Sequence, residues 1–378
     1  MKLKIGIMGT RGIPNHYGGF EQFAASLSVG LVKKGHEVIV YNSCLHPYKQ
    51  SEWRGVQIIY CKDREKKLGT AGQFFYDLNC IKDSRNRNFD ILLHLGYNSD
   101  SIWYWLWPKK VLNIVNMDGL EWQRTKYNTL TRRFLRWAEA LAAKHADALI
   151  ADSLPIKQRL LNIYKKEATF IPYGAKNFEH PDPSILTKYG LTPNKYSLII
   201  ARMEPENNIE MIIQGYLAQN NSTILFVIGN MTNKYGKYIR DKYNSAFIKF
   251  SNAIYDQNEL NNLRYHCLIY FHGHSVGGTN QSLLEAMACN CRIAAYDNPF
   301  NRSVLEDSAD YFTSAKDVLD IINTPKEKFV INQWRKINNQ KISNIYNEEK
   351  IIIAYEALLL NLYYEKNLIS QPAIVNSL

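Results

Sequence analysis

Lys4-Ile5-Gly6-Ile7-Met8-Gly9-Thr10-Arg11-Gly12-Ile13-Pro14-Asn15-His16-Tyr17-Gly18-Gly19-Phe20-Glu21 opens the chain and decides how its fold is read. The run from Lys4 to Gly9 reads as a buried strand and its end. Gly9 to Gly19 is a glycine-rich loop. From Phe20 to Lys34 the apolar residues Phe20, Phe23, Ala24, Leu27 and Leu31 recur at helical spacing, and Gly35 ends the run. Glu37-Val38-Ile39-Val40-Tyr41 is a second strand. Strand, glycine loop, helix and strand make a βαβ unit. Further strands are predicted at 56–61, 91–95, 111–115, 148–151 and 169–171, with helical stretches between several of them. Such alternation argues for a parallel, doubly wound sheet. The polar stretch His180-Pro181-Asp182-Pro183 lies near a linker, and a second series follows. It has strands at 196–201, 223–228, 268–271 and 292–296, and helices at 209–216 and 282–288. The chain is therefore expected to be α/β, with one Rossmann-like domain over 1–176 and another over 177–345. The remainder, 346–378, holds an amphipathic helix from about 348 to 364 that is expected to pack back on the first domain.

Bulk properties fit that division. The 378 residues are 46% hydrophobic and 21% charged, enough apolar material for two cores. The apolar start is short and reads as a strand, not a signal peptide. No apolar run approaches the roughly 20 residues of a membrane-spanning helix. Six cysteines (44, 61, 80, 267, 289 and 291) include no Cys-x-x-Cys pair and no zinc spacing, which suits a reducing cytosol. The net charge of +11 lies wholly in the first half. Residues 1–189 hold 28 Lys/Arg against 17 Asp/Glu, and residues 190–378 hold 18 against 18. A one-sided basic surface suits an anionic partner, or simply a well-solvated face. No nucleic-acid recognition motif accompanies it, so nucleic acid is not expected.

Four stretches carry chemistry. The loop from Gly9 to Gly19 lets backbone approach a ligand at a helix N-terminus, although it is neither Gly-x-Gly-x-x-Gly nor a P-loop. A tight turn alone would need the same glycines. Asn116-Met117-Asp118-Gly119-Leu120-Glu121-Trp122-Gln123-Arg124 follows a strand end, where open α/β sheets bind ligands. Asp118 or Glu121 can act on a hydroxyl as a base or orienting acceptor, and Trp122 offers a face to a sugar; a helix cap by Asp118 is the competing reading. Arg202, after another strand, can grip a diphosphate with its planar fork. Finally His272-Gly273-His274-Ser275-Val276-Gly277-Gly278-Thr279-Asn280-Gln281-Ser282-Leu283-Leu284-Glu285 leads into a helix whose first N–H groups point at an anion. Glu285 lies one turn in, placed to accept bonds from ribose hydroxyls or from nearby backbone.

Together these stretches resemble the retaining glycosyltransferases of family 4, which have the GT-B fold of two Rossmann-like domains facing a central cleft. The Gly-Thr-Arg-Gly-Ile-Pro opening and the stretch from His272 to Asn280 resemble the rhamnosyltransferase-like subgroup of capsule and surface-polysaccharide clusters. The resemblance implies that the C-terminal domain holds a nucleotide sugar and the N-terminal domain an acceptor. On that reading Arg202, Asn207, Gly277, Gly278 and the amides from Thr279 through Asn280, Gln281, Ser282 and Leu283 face the donor, Glu285 holds the ribose, and Gly12 approaches the diphosphate. Arg11, Tyr17, Gly18, Gly19, Glu21, Trp122 and Arg124 face the acceptor. Asp118, Glu121 and His274 are the catalytic candidates. Gly277 stands where the wider family usually has the first glutamate of a pair ending at Glu285, and Asn207 where it usually has lysine. His274 lies near that missing glutamate.

No Asp-x-Asp occurs, which fits a transferase in which arginine and a helix terminus replace a metal, so no cofactor is expected. Two aromatic-basic clusters, Trp103, Tyr104, Trp105 and Trp107 with Lys109 and Lys110, and Arg132, Arg133, Phe134, Arg136 and Trp137, suit an anionic membrane surface. Core aromatics beside a solvated face would give the same pattern. The expected activity is transfer of a hexose, L-rhamnose from dTDP-rhamnose in the subgroup's manner, to a lipid pyrophosphate-linked saccharide at the inner face of a bacterial membrane. A UDP-hexose transferase, a sugar-nucleotide epimerase and a non-catalytic sugar-nucleotide-binding protein are the competing readings.

Overall fold

A computed structural model describes residues 1–124, 127–219 and 223–369. Residues 370–378 of the closing segment lie outside the described residues. Two sheets organise the chain. The first contains β1 (Lys4–Met8), β2 (Glu37–Ser43), β3 (Glu52–Trp53), β4 (Val56–Cys61), β5 (Ile91–Leu95), β6 (Leu112–Asn116), β7 (Ala148–Ala151) and β8 (Thr169–Phe170), in spatial order 3-4-2-1-5-6-7-8. The second contains β9 (Tyr196–Ile200), β10 (Ile224–Ile228), β11 (Ile248–Ser251), β12 (Tyr270–His272), β13 (Ile293–Tyr296) and β14 (Asp310–Phe312), in order 11-10-9-12-13-14. Every pairing is parallel except the β3–β4 hairpin. Both are doubly wound Rossmann-like sheets.

The central strands are apolar on both faces because helices cover both. Ile5, Ile7, Leu92 and Leu93 in the first sheet, and Leu198, Leu225 and Phe226 in the second, are fully buried. Each such side chain contributes about 1.5–3 kcal/mol by leaving water. The helix Gly19–Lys33 turns Phe23, Ala24, Leu27 and Leu31 into this core.

Several predicted edges move by one or two residues. The strand expected at 111–115 runs Leu112–Asn116, and that expected at 268–271 runs Tyr270–His272. Three strands without a sequence expectation, β3, β11 and β14, lie at sheet edges, where short polar-flanked runs carry a weak signal. The helix Glu348–Ile369 is longer than expected and packs against the helix Gly19–Lys33. Tyr355 contacts Phe23 and accepts from Asn116 Nδ2 at 2.9 Å, while Glu356 pairs with Lys34 at 2.8 Å.

Strand order reverses beside the central strand of each sheet, between β1 and β5 and between β9 and β12. Such switch points open a crevice at the C-terminal ends of the strands. The glycine loop follows β1, Arg202 follows β9, and the stretch after His272 follows β12, so three of the four chemical stretches meet at these crevices. The fourth follows β6, two strands along.

Candidate active site at the interdomain cleft

The glycine loop is braced from within the first half. Asn42 on β2 accepts from the Ile13 amide at 2.9 Å and donates to the Ile13 carbonyl at 2.7 Å. Gly12 lies at φ +121°, and a Cβ there would overlap the Asn42 side chain. Its glycine is thus already required by Asn42, whatever ligand approaches. Buried Glu21 accepts the Arg11 amide at 3.1 Å. The Arg11 guanidinium is held by both oxygens of Glu65 at 2.6 and 3.1 Å and lies 3.9 Å from the Tyr17 ring centre. Gly18 caps the helix, and Gly19 faces Gln281 of the second half, whose Cβ a methyl at Gly19 would meet in ordinary contact at 3.4 Å.

Beyond β6, Gly119 adopts φ +59° and lies beside Gly277, again across the two halves. Glu121 is gripped by Arg124 through two bonds of 2.5 and 2.6 Å, and Arg124 reaches on to Glu206 at 3.1 Å. Asp118 accepts from the Tyr173 hydroxyl at 3.1 Å. Burial and the neighbouring Glu121 push its carboxyl above the usual range. Trp122 has protein partners that its sequence reading does not include. Its Nε1 donates to Glu139 at 2.7 Å, and the guanidiniums of Arg136 and Arg159 lie 4.2 and 4.8 Å from its ring. Those contacts turn it toward the helix Thr129–His145.

On the second half, the Arg202 side chain is exposed at the end of β9. Asn207 is buried, and its amide donates to the Arg202 carbonyl at 2.8 Å. It shapes the Arg202 loop. His274 stacks on buried His272 with ring centres 4.3 Å apart. Burial, then His272 and Arg202, lower its pKa well below the ordinary histidine value, so it is a neutral imidazole. Glu285 is not free to serve a ribose alone. It pairs at 2.5 Å with the buried guanidinium of Arg264, a partner the sequence did not reveal, and Gln281 Nε2 lies 3.4 Å from its other oxygen.

The amides at the helix Gln281–Ala288 divide into two sets. Those of Thr279, Ser282 and Leu283 are occupied, by Asp152 Oδ2 at 3.0 Å, Asn280 Oδ1 at 3.0 Å and the Asn280 carbonyl at 3.0 Å. Those of Gly277, Gly278, Asn280 and Gln281 have no protein acceptor among the described residues. Gly277 lies at φ +147° with open space where a Cβ would be. An arginine, four amides without a protein acceptor among the described residues and a helix N-terminus lie at a strand-order switch, an arrangement whose chemistry suits an anion.

Residues 185–323 match the family described as Glycosyl transferases group 1, and residues 2–176 match a domain of unknown function, DUF1972. The chain has the GT-B fold, and its second half carries the glycosyl transferases group 1 domain. Its fold is similar to sucrose-phosphate synthase from Thermosynechococcus elongatus, with a TM-score of 0.78 at 15% identity over 96% of this chain and all of that one. It is also similar to Anabaena HepE in complex with UDP and glucose (TM-score 0.75, 14% identity, 95% of this chain and 100% of that one). A third likeness is to α,α-trehalose 6-phosphate synthase from Burkholderia multivorans, with a TM-score of 0.73 at 11% identity over 99% of both chains. Among curated sequences, human melanoma-associated antigen E2 aligns at 23% identity over 202 residues, which is 53% of this chain and 36% of that protein. No helix among the described residues is long and apolar enough to cross a membrane.

Proposed function

We propose that this enzyme transfers a hexose, with retention, from a nucleoside diphosphate donor to a lipid pyrophosphate-linked saccharide in the assembly of a bacterial surface polysaccharide. The observation that carries the donor half is the anion site. The diphosphate sits at the amides of Gly277, Gly278, Asn280 and Gln281, and Arg202 answers its charge from β9. As the bond from the sugar to the diphosphate breaks, negative charge grows on the leaving oxygen, and fixed N–H dipoles stabilise it without reorganising. Glu285, oriented by Arg264, accepts from the ribose hydroxyls. Neutral His274 faces the sugar over Gly277. Asp118 orients the acceptor hydroxyl, because Glu121 is already held by Arg124. The division of labour follows the boundaries read from sequence, 1–176 for the acceptor and 177–345 for the donor, with the helix Glu348–Ile369 packed back on the first domain.

L-Rhamnose from dTDP-rhamnose is the donor that the opening and His272–Asn280 stretches favour. UDP-glucose is the second reading, supported by the HepE structures, one of which contains UDP-glucose.

The acceptor half rests on a surface of the first domain. A row of ring contacts runs from Trp105 through Trp103, and from Phe134 to Phe74 and Trp137; Trp103 also donates to the Phe74 carbonyl. Leu68, Phe75, Trp105, Leu130 and Trp137 are exposed beside Lys66, Lys67, Arg133 and Arg136. Exposed rings among cations suit peripheral binding to an anionic bilayer, where a lipid-linked acceptor resides. Trp107 is buried and belongs to the core instead.

Purified enzyme incubated with dTDP-rhamnose or UDP-glucose and a polyprenyl pyrophosphate-linked saccharide is expected to yield a product longer by one hexose with retained anomeric configuration. Donor turnover to a free sugar isomer, or no turnover with either donor, would overturn the proposal.

A further inference from the structure

Phe300 belongs to the second domain by sequence but is buried in the core of the first. Every other buried residue of the apolar cluster around it, from Met8 to Ala168, lies in the first domain. Its helix, Pro299–Leu305, lies against the helix Leu154–Tyr164 of the first domain, and Val304 and Leu305 are buried at its other end. Successive residues of a helix point to different sides. While Phe300 enters the first domain, buried Asn301 turns back to the strand ends of the second sheet. Its Nδ2 donates to the Tyr296 carbonyl at the end of β13, 2.7 Å away, and to the His274 carbonyl at 3.1 Å. Asn298 Nδ2 donates to the same His274 carbonyl at 2.9 Å, and Asn298 Oδ1 caps the helix by accepting the Asn301 amide at 2.8 Å.

These bonds matter because the His274 ring is held by stacking. It lies on His272 with ring centres 4.3 Å apart. His274 Nδ1 and both ring nitrogens of His272 are buried with no hydrogen-bond partner among the described residues. With no bond at those nitrogens, the backbone at 274 decides where the imidazole lies, and the two asparagines fix that backbone. On the next residue, the Ser275 amide and hydroxyl donate to the Glu206 carbonyl at 3.1 and 2.7 Å, and the Glu206 carboxylate meets Arg124 of the first domain at 3.1 Å. The start of the anion loop therefore hangs on first-domain contacts at two adjacent residues.

We propose that Phe300 and Asn301 link the core of the first domain to His274: Phe300, seated in that core, fixes the helix Pro299–Leu305, and Asn301 with Asn298 carries its position to the His274 backbone. All three are positioning residues and touch no substrate. The donor side is then complete only with the first domain docked on it, because the second domain alone leaves Phe300 in water. The catalytic consequence rests on His274 facing the donor sugar, whereas the link itself does not.

Histidine-selective NMR of the protein without substrates tests the link, with the His274 ring signal identified by its loss in His274→Gln. Phe300→Ala is expected to shift or broaden that signal and to leave in place that of His36, whose ring meets Glu356 on the C-terminal helix. Asn301→Ala is expected to do the same from the other side of the helix. Phe300→Leu, which keeps an apolar plug, should restore the signal, and Phe300→Val is read in the same way if Phe300→Ala fails to fold. A His274 signal that neither the Phe300 truncation nor Asn301→Ala moves would overturn the proposal, whatever the melting temperatures. In turnover, Phe300→Ala and Asn301→Ala are each expected to lower kcat roughly 10- to 100-fold with the Kd of UDP or dTDP unchanged. The double variant should lose no more than the worse single, because the two act in series. Losses that multiply, or a lower melting temperature with kcat kept, would also overturn it. An enzyme without transferase activity would fail the functional proposal and leave the NMR result standing.

Discussion

The backbone N–H of Thr279 donates to the carboxyl of Asp152 across the cleft at 3.0 Å, and the Thr279 hydroxyl donates to the Asp152 carbonyl at 2.5 Å. This is a direct polar seam between the strand ends of one sheet and the anion loop of the other. Gly278 has no side chain because that seam occupies the space of its Cβ. Gly278→Ala is expected to force the seam apart, lowering both melting temperature and turnover. Combining it with Asp152→Ala removes the clash, so the double variant should be less destabilised than the sum of the two singles. A thermal-denaturation cycle checks this; a coupling within about 0.5 kcal/mol of zero would show that the contact does not matter.

Arg124 and Glu206 form a second seam. Glu206 has a fully buried side chain, and its Oε2 has no partner. Removing Arg124 leaves two carboxylates, Glu121 and Glu206, without their common cation. Arg124→Ala is expected to cost about 3–5 kcal/mol, as for a broken buried pair. Glu206→Gln, which keeps an acceptor and sheds the charge, should cost less. Chemical denaturation of both variants measures the difference.

Asp77 gives a pH dependence. Burial with Asp100 and Asp63 nearby raises its carboxyl to about 8 in the folded protein, although the Ser99 hydroxyl donates to it. The unfolded chain releases that proton near pH 4. The folded state therefore holds more protons between these values. The stabilising contribution is complete below about pH 4 and is lost as pH rises toward 8, with a slope of at most ~1.4 kcal/mol per pH unit. Asp77→Asn should flatten that fall. Melting temperatures from pH 5 to 9 for the two proteins provide the check.

The exposed ring row predicts a lipid phenotype. Trp105→Ala with Trp137→Ala is expected to weaken sedimentation with vesicles containing anionic lipid, and Arg133→Glu with Arg136→Glu to weaken it more steeply at low salt than at high. Neither pair should alter nucleotide binding. Equal sedimentation of all variants would remove this surface from the proposal.

Sequence reading reaches the two sheets because their central strands are continuous apolar runs between glycine and helix signals. It reaches the cleft loops because glycine clusters follow those strands. It does not reach the partners that only the fold creates. Arg264 meets Glu285 from a separate helix, and Trp122 is claimed by Glu139, Arg136 and Arg159 on the two helices that follow it. Asp152 lay in plain sight within Ala148-Leu149-Ile150-Ala151-Asp152-Ser153, but its meaning comes from the Thr279 amide of the other half, which no single stretch contains. The available signal was positional: it follows its strand as Asp118 follows the neighbouring one. Asn207 took its expected role from a family position, and the turn after β9 used its amide to close on the Arg202 carbonyl.

Nucleotide binding tests the donor site. A thermal-shift panel of UDP, GDP and dTDP and their sugars should compare wild type with Arg202→Ala and Glu285→Gln. Arg202 is exposed, so its removal leaves the fold intact, whereas Glu285→Ala would strand buried Arg264 and confuse binding with stability. The expected result is one nucleotide family that raises the melting temperature of wild type, by about 2.7 kcal/mol of stabilisation at a hundred times its Kd, and does so much less in both variants. A shift with no nucleotide, or one that Arg202→Ala leaves unchanged, would contradict a donor diphosphate held between Arg202 and the amides before Gln281.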